Sequence, residues 1–184
     1  YGHADFYHAD WVLNQNISAR EDLYKKRNLE TKLLLGTKYV MLRKEFLAFK
    51  KCHREISPED KNILVTMGGS DPDNVTLKVI QTLIDLDLNI KVVVGGSNPH
   101  LRDIKDFIQT EKHTATLIEV INNAISMPEL MAWADVAILA GGSTCWEAAF
   151  MGLPSIVFTI AENQKEIAFA IERTDLGINL GWAN

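Results

Sequence analysis

Residues 134–147 read A-D-V-A-I-L-A-G-G-S-T-C-W-E, and this stretch decides the fold. Val136, Ala137, Ile138, Leu139 and Ala140 form an unbroken apolar run of strand length, without the polar alternation of a half-exposed strand, as expected where both faces are covered. Two glycines and two hydroxyl residues follow, and a helical pattern starts at Thr144. Strand, glycine turn and helix in immediate succession make the opening of a β-α unit. The same order stands upstream, where an apolar run at 63–66 leads into M-G-G-S-D-P-D-N at 67–74.

Working outward from these two units, strands are predicted at 63–66, 90–94, 115–120, 136–140, 155–159 and 178–180. Helices are predicted between them at 74–86, 101–109, 128–134, 144–151 and 164–174. Ser126-Met127-Pro128-Glu129 marks one helix start with an N-cap serine, a first-turn proline and a glutamate three residues on. Regular alternation of this kind gives an α/β domain with a Rossmann-like parallel sheet wrapped by helices. The crossover rule then predicts the strand order 3-2-1-4-5-6, with the two glycine loops adjacent at the topological switch point.

Residues 1–57 read differently. They hold a short apolar run at 11–13, a Ser18-x-x-Glu21 capping box opening a polar helix, a second apolar run at 33–35 and a basic helix after Tyr39, before a hinge at Ser57-Pro58-Glu59-Asp60. This division assigns 1–57 to the end of a preceding domain and its crossing linker, and 58–184 to the Rossmann-like domain. A start at Tyr1, with no methionine, charged leader or apolar targeting segment, reads as a piece of a longer protein.

Composition narrows the function classes. The 184 residues are 47% hydrophobic and 23% charged, with a formal charge of −5, the balance of a water-soluble globular chain. No apolar run approaches the roughly 18 residues of a membrane span. The acidic balance and the small basic clusters Lys25-Lys26-Arg27 and Lys50-Lys51, without interleaved aromatic residues, argue against a nucleic-acid partner. Two cysteines, Cys52 and Cys145, form no C-x-x-C pair and suit a reducing cytoplasm. The five histidines, His3, His8, His53, His100 and His113, have no metal-site spacing, so no metal and no cofactor is expected.

In open α/β sheets ligands sit beyond the C-terminal ends of the strands. Three loops there carry unusual chemistry. In the first, Gly68 and Gly69 allow close backbone approach, Ser70 offers a hydroxyl, and the following helix offers unpaired N–H groups to an anion. Taken alone, G-G-S equally describes a tight strand-to-helix turn. The second loop repeats the arrangement with Gly141, Gly142, Ser143 and Thr144, and adds Glu147 on the face of Thr144, where a carboxylate can accept from both hydroxyls of a ribose or simply cap its helix. The third, Ile160-Ala161-Glu162-Asn163-Gln164, delivers two amides suited to a polyhydroxyl ligand, or an N-cap by Asn163. Cys145 lacks the glycine-flanked elbow of a covalent nucleophile and reads as a small packing residue.

The assembled blocks, G-G-S-D-P-D-N at 68–74, A-D-V-A-I-L-A-G-G-S-T-C-W-E at 134–147, G-L-P-S at 152–155 and A-E-N-Q at 161–164, resemble the C-terminal half of a GT-B enzyme. Within that group they are most similar to the UDP-sugar hydrolases of the pseudaminic acid pathway and their spore-coat polysaccharide relatives. The segments L-N-Q-N at 13–16 and L-G-x-x-Y-x-x-L-R-x-E-F at 35–46 resemble the domain crossing of the same family. A more distant likeness is to the N-acetylglucosaminyltransferase that makes lipid II. The resemblance implies a cytoplasmic, metal-independent enzyme that uses water to release UDP from a 2,4-diacetamido-2,4,6-trideoxy sugar with inversion. It places the catalytic histidine in a G-x-G-H motif of an N-terminal domain, and that motif is missing here, so this chain alone is expected to be inactive.

Carried over residue by residue, the phosphate loops are Gly68, Gly69, Ser70 and Gly142, Ser143, Thr144. Glu147 holds the ribose, the backbone at Ala124 and Ile125 faces the uracil, and Asn163 and Gln164 reach the sugar or the distal phosphate. Residues 122–126 depart from the acidic D-D-M pattern expected before Met127. The implied partners are UDP or a UDP-sugar and the protein's own N-terminal domain. Two other readings use the same pocket: the donor half of a GT-B glycosyltransferase, and a non-catalytic nucleotide-sugar-binding module.

Overall fold

In the computed structural model, which describes residues 4–50, 54, 61–111 and 115–183, the chain divides into two compact units, Tyr1–Arg43 and Lys44–Asn184. The hinge expected at 57–60, together with His3, Cys52, His53 and His113, lies outside the described residues.

The first unit is built on two short parallel strands, β1 (Trp11–Asn14) and β2 (Lys32–Leu35). Its buried polar pair is satisfied internally: Asn14 Nδ2 donates to Tyr24 Oη at 2.7 Å, and Asn14 Oδ1 accepts the Asn16 N–H at 3.0 Å. That closure lets an amide and a phenol sit in an apolar interior. The polar helix expected after Ser18 is a single 3-10 turn at Glu21–Tyr24 whose preceding residue is Arg20, with no side-chain cap. One turn is too short to repay helix nucleation, so the capping-box reading does not hold.

The second unit is a six-stranded parallel sheet. Its strands are β3 (Asn62–Thr66), β4 (Asn89–Val94), β5 (Leu117–Asn122), β6 (Val136–Ala140), β7 (Ser155–Thr159) and β8 (Gly177–Trp182), and its order is β5-β4-β3-β6-β7-β8. Counted within the sheet this is the predicted 3-2-1-4-5-6. Among the described residues five helices connect the strands: α1 (Val75–Leu83), α2 (Leu101–Thr110), α3 (Met127–Trp133), α4 (Thr144–Phe150) and α5 (Lys165–Arg173). The basic helix expected after Tyr39 is a 3-10 segment at Lys44–Phe49, whose Phe46 is fully buried.

Period-two alternation distributes the core. Val65, Ile90, Val92, Val94, Ile138 and Ala140 pack with Val75, Val79 and Ile80 of α1 and Ile104 of α2. The intervening residues Leu64, Ala137 and Leu139 are equally buried and point to the opposite face. Right-handed crossovers place α3, α4 and α5 there. Arg54 donates to Met131 O at 2.6 Å and to Ala134 O, setting a positive charge on the C-terminal carbonyls of α3. Beside α1 the sheet face of β6 to β8 carries a hollow of about 440 Å³ lined by Val79, Ile156, Phe158, Leu180 and Trp182 among others. None of the described helices is long and apolar enough to cross a membrane.

Candidate functional site

The strand order reverses between β3 and β6, and both glycine loops leave the sheet there, side by side. A cleft of about 380 Å³ opens over them, lined by Thr66, Met67, Gly68, Gly69, Ser70 and Pro72 at the end of β3 and in its loop, and by Ala140, Gly142, Ser143 and Thr144 at the end of β6 and in its loop. Ile160, Ala161 and Gln164, after β7, complete it. No charged side chain is among these residues, so the cleft presents backbone N–H groups, hydroxyls and one amide. Its size is that of a small-ligand pocket.

The glycines divide by task. Gly68 adopts φ +81°, a left-handed conformation that disfavours any side chain. At Gly69 and Gly142 an added Cβ would meet nothing within 4 Å, so their missing side chains leave open space. Gly95, after β4, is the opposite case: its Cβ would lie 2.5 Å from Gly68 O and 2.6 Å from Gly69 Cα, which shows how closely the first loop rests on it. Gly141 likewise admits the third loop, since its Cβ would stand 2.9 Å from Gln164 O.

The first helix does not offer its leading N–H groups to a ligand. Asp71, fully buried at φ +41°, accepts the Val75 N–H at 2.8 Å through Oδ1 and the Thr76 N–H at 2.9 Å through Oδ2. A carboxylate satisfying two helix N-terminal donors is a strong cap, and it corrects the expectation of an open anion site at α1. At the second loop Gly142 N–H donates to Ala140 O, and the Cys145 and Trp146 N–H groups donate back to Gly142 and Ser143 carbonyls. Among the described residues no carbonyl takes the N–H of Ser143 or Thr144, and both residues line the cleft.

Gln164 is oriented by its own loop. Its Oε1 accepts the Ile160 N–H at 3.0 Å, which leaves the amide NH₂ as the group with donors to spare. Asn163 is exposed within the 3-10 turn Glu162–Gln164 and makes no side-chain cap. Glu147 lies 9% exposed on α4, one turn behind Thr144, and is not among the residues lining the cleft. Ala124 is half-buried and Ile125 is 97% exposed. They stand on the loop before α3, also outside the cleft lining. Ser126 does precede α3, but its side chain makes no cap bond.

Cys145 is 1% exposed and its thiol donates to Ala140 O at 3.3 Å. Burial pushes its pKa up to about 12, so the group stays a neutral packing thiol near neutral pH. Among the described residues no group of three or more His, Cys, Asp or Glu is placed to hold a metal ion.

Sequence reasoning missed the third G-G-S, at Gly95-Gly96-Ser97, although G-S-N-P-H at 96–100 parallels G-S-D-P-D at 69–73. It also missed Asp71 as a cap and Gly141 as the seat of Gln164.

Residues 46–183 match the glycosyltransferase family 28 C-terminal domain. The chain is 32% identical over 168 residues to the spore coat polysaccharide biosynthesis protein SpsG of Bacillus subtilis, covering 88% of this chain and 48% of that protein. It is 30% identical over 111 residues to a Helicobacter pylori protein named pseudaminic acid cytidylyltransferase and UDP-2,4-diacetamido-2,4,6-trideoxy-beta-L-altropyranose hydrolase, covering 60% of this chain and 19% of that one. The chain thus spans about half the length, or less, of these curated relatives. Among solved structures, Acinetobacter baumannii MurG shares the fold at a TM-score of 0.61 and 13% identity, over 93% of this chain and 52% of MurG.

Proposed function

The chain belongs to the glycosyltransferase family 28 C-terminal domain family, and from that premise we propose that its cleft holds the diphosphate of UDP or of a UDP-sugar. The observation that carries this reading is the convergence of Gly69, Ser70, Gly142, Ser143, Thr144 and Gln164 on one uncharged cleft at the switch point. Open space above Gly69 and Gly142 gives phosphate oxygens a close approach to the backbone, and the Ser143 and Thr144 N–H groups supply donors. With no carboxylate lining the cleft to share a cation, diphosphate charge falls to N–H and hydroxyl dipoles, so binding proceeds without added metal.

In this reading Glu147 takes the ribose, the backbone of Ala124 and Ile125 faces the uracil, and Asn163 and Gln164 serve the sugar or the distal phosphate. The spare donors of Gln164 suit a phosphate or sugar oxygen. The finer assignment is the UDP-binding half of a cytoplasmic hydrolase that releases UDP from a 2,4-diacetamido-2,4,6-trideoxyhexose in surface-polysaccharide synthesis. The motif blocks and the likeness to the Helicobacter protein support it. Its catalytic histidine would come from the protein's own N-terminal domain. The family description supports a second reading equally well, the donor half of a glycosyltransferase, which uses the same cleft and differs in the acceptor.

Titration calorimetry with UDP, CDP and GDP, each with and without EDTA, tests the proposal. UDP is expected to bind more tightly than CDP or GDP and equally with and without chelator. Equal affinity for the three would remove the uracil assignment, and loss of binding in EDTA would overturn the metal-free site. A chain that binds none of them would overturn the reading altogether.

A further inference from the structure

We propose that His100 is a positioning residue for this cleft, tying the first glycine loop to the loop after β4 and so holding one wall in its binding shape. Its affinity readout rests on the UDP reading above; its structural readout does not.

The loop after β4 is organised to present this ring. Asn98 N–H donates to Gly95 O at 3.1 Å, and Asn98 Oδ1 accepts the His100 N–H at 2.7 Å, the local turn that asparagine favours. His100 then occupies the N-cap position of α2 without capping it by its side chain. The ring instead reaches 28 residues back in sequence, with Nε2 3.0 Å from Pro72 O. A carbonyl only accepts, so Nε2 carries the proton in this contact. Nδ1 stands 3.7 Å from Asp103 Oδ2, a carboxylate one turn into α2.

Pro72 lines the cleft beside Ser70, and having no N–H it can be held through the backbone only at its carbonyl. The loop is thus seated on Gly95 from below, where a Cβ would have no room, and held at Pro72 by His100. Both contacts come from 95–100, a segment that does not itself line the cleft.

His100→Ala, His100→Gln and the native chain are compared by UDP and uridine titration, by thermal unfolding, and, without ligand, by amide hydrogen exchange at Asn74 and Val75, whose N–H groups are bonded to Asp71 on the Pro72 loop. The alanine variant is expected to bind UDP about fivefold more weakly, the worth of one hydrogen bond, with uridine affinity unchanged, an unfolding midpoint lowered by no more than about 4 °C, and faster exchange at both amides. Glutamine, whose amide can donate to Pro72 O, is expected to restore UDP affinity and slow exchange. Native UDP affinity and exchange in His100→Ala would overturn the inference, as would equal losses for UDP and uridine. If the native chain binds no UDP, the nucleotide reading fails and exchange alone decides the role of His100.

Discussion

Gly95→Ala is expected to be the most damaging single methyl group added near the cleft, costing about 3 kcal/mol of stability, the upper end of what overpacking costs. The reason is the nature of the atoms it meets. Gly68 O, Gly69 Cα and Gly69 O, at 2.5, 2.6 and 2.7 Å from the added Cβ, are all backbone, and none can rotate away as a side-chain end can. The first loop must therefore move, and UDP affinity should fall at least about tenfold with it. Gly96→Ala is the control. Its Cβ would meet the side chain of Asn123, which can swing aside, so stability should change by less than about 1 kcal/mol. Urea unfolding with unchanged slope and a lowered midpoint, beside a UDP titration, checks both variants.

Gly142→Ala is expected to behave in the opposite way. Nothing lies within 4 Å of its Cβ, and its φ is not in the left-handed region, so the folded chain accepts alanine and stability holds or rises by up to about 1 kcal/mol. The methyl group then stands where the diphosphate must come down onto the Ser143 and Thr144 N–H groups. UDP affinity is expected to drop about 10- to 100-fold, the equivalent of ~1.4–2.8 kcal/mol of overpacking against the ligand. Gly69→Ala should follow the same pattern from the other wall. Unchanged UDP affinity in both variants would show that the open space at these glycines is not where the ligand lies. Thermal unfolding and calorimetry on the same samples separate this effect from misfolding.

The contrast between Gly95 and Gly142 also shows where the sequence was legible. The sheet was readable because strands such as 136–140 are apolar throughout, and the handedness of crossovers leaves few orders for six alternating strands. The two G-G-S loops were readable as neighbours for the same reason, since β3 and β6 adjoin in that order. What the glycines do was not readable, because close approach belongs to two segments far apart in the chain: Gly95 against Gly68, Gly141 against Gln164. Asp71 had no role in the sequence reading, because the spacing of an aspartate before a helix does not tell whether its carboxylate turns inward to Val75 and Thr76. In residues 18–49, short segments with only one or two turns gave patterns that looked helical, and tertiary context reduced them to 3-10 turns. Ala124 and Ile125 were placed by resemblance alone, and Glu147 by resemblance and by its spacing on the face of Thr144. The cleft lining includes none of them, and their roles rest on how the nucleoside extends beyond Thr144.

The central claim is that the diphosphate of UDP sits between the two glycine loops, and backbone amide chemical-shift mapping during a UDP titration tests it most directly. The account predicts that the largest shifts fall on Gly69, Ser70, Gly142, Ser143 and Thr144, with Gln164 side-chain amide signals moving in step. Shifts confined to Lys78, Leu180 and Trp182, around the apolar hollow beside α1, with the glycine loops unmoved, would contradict it.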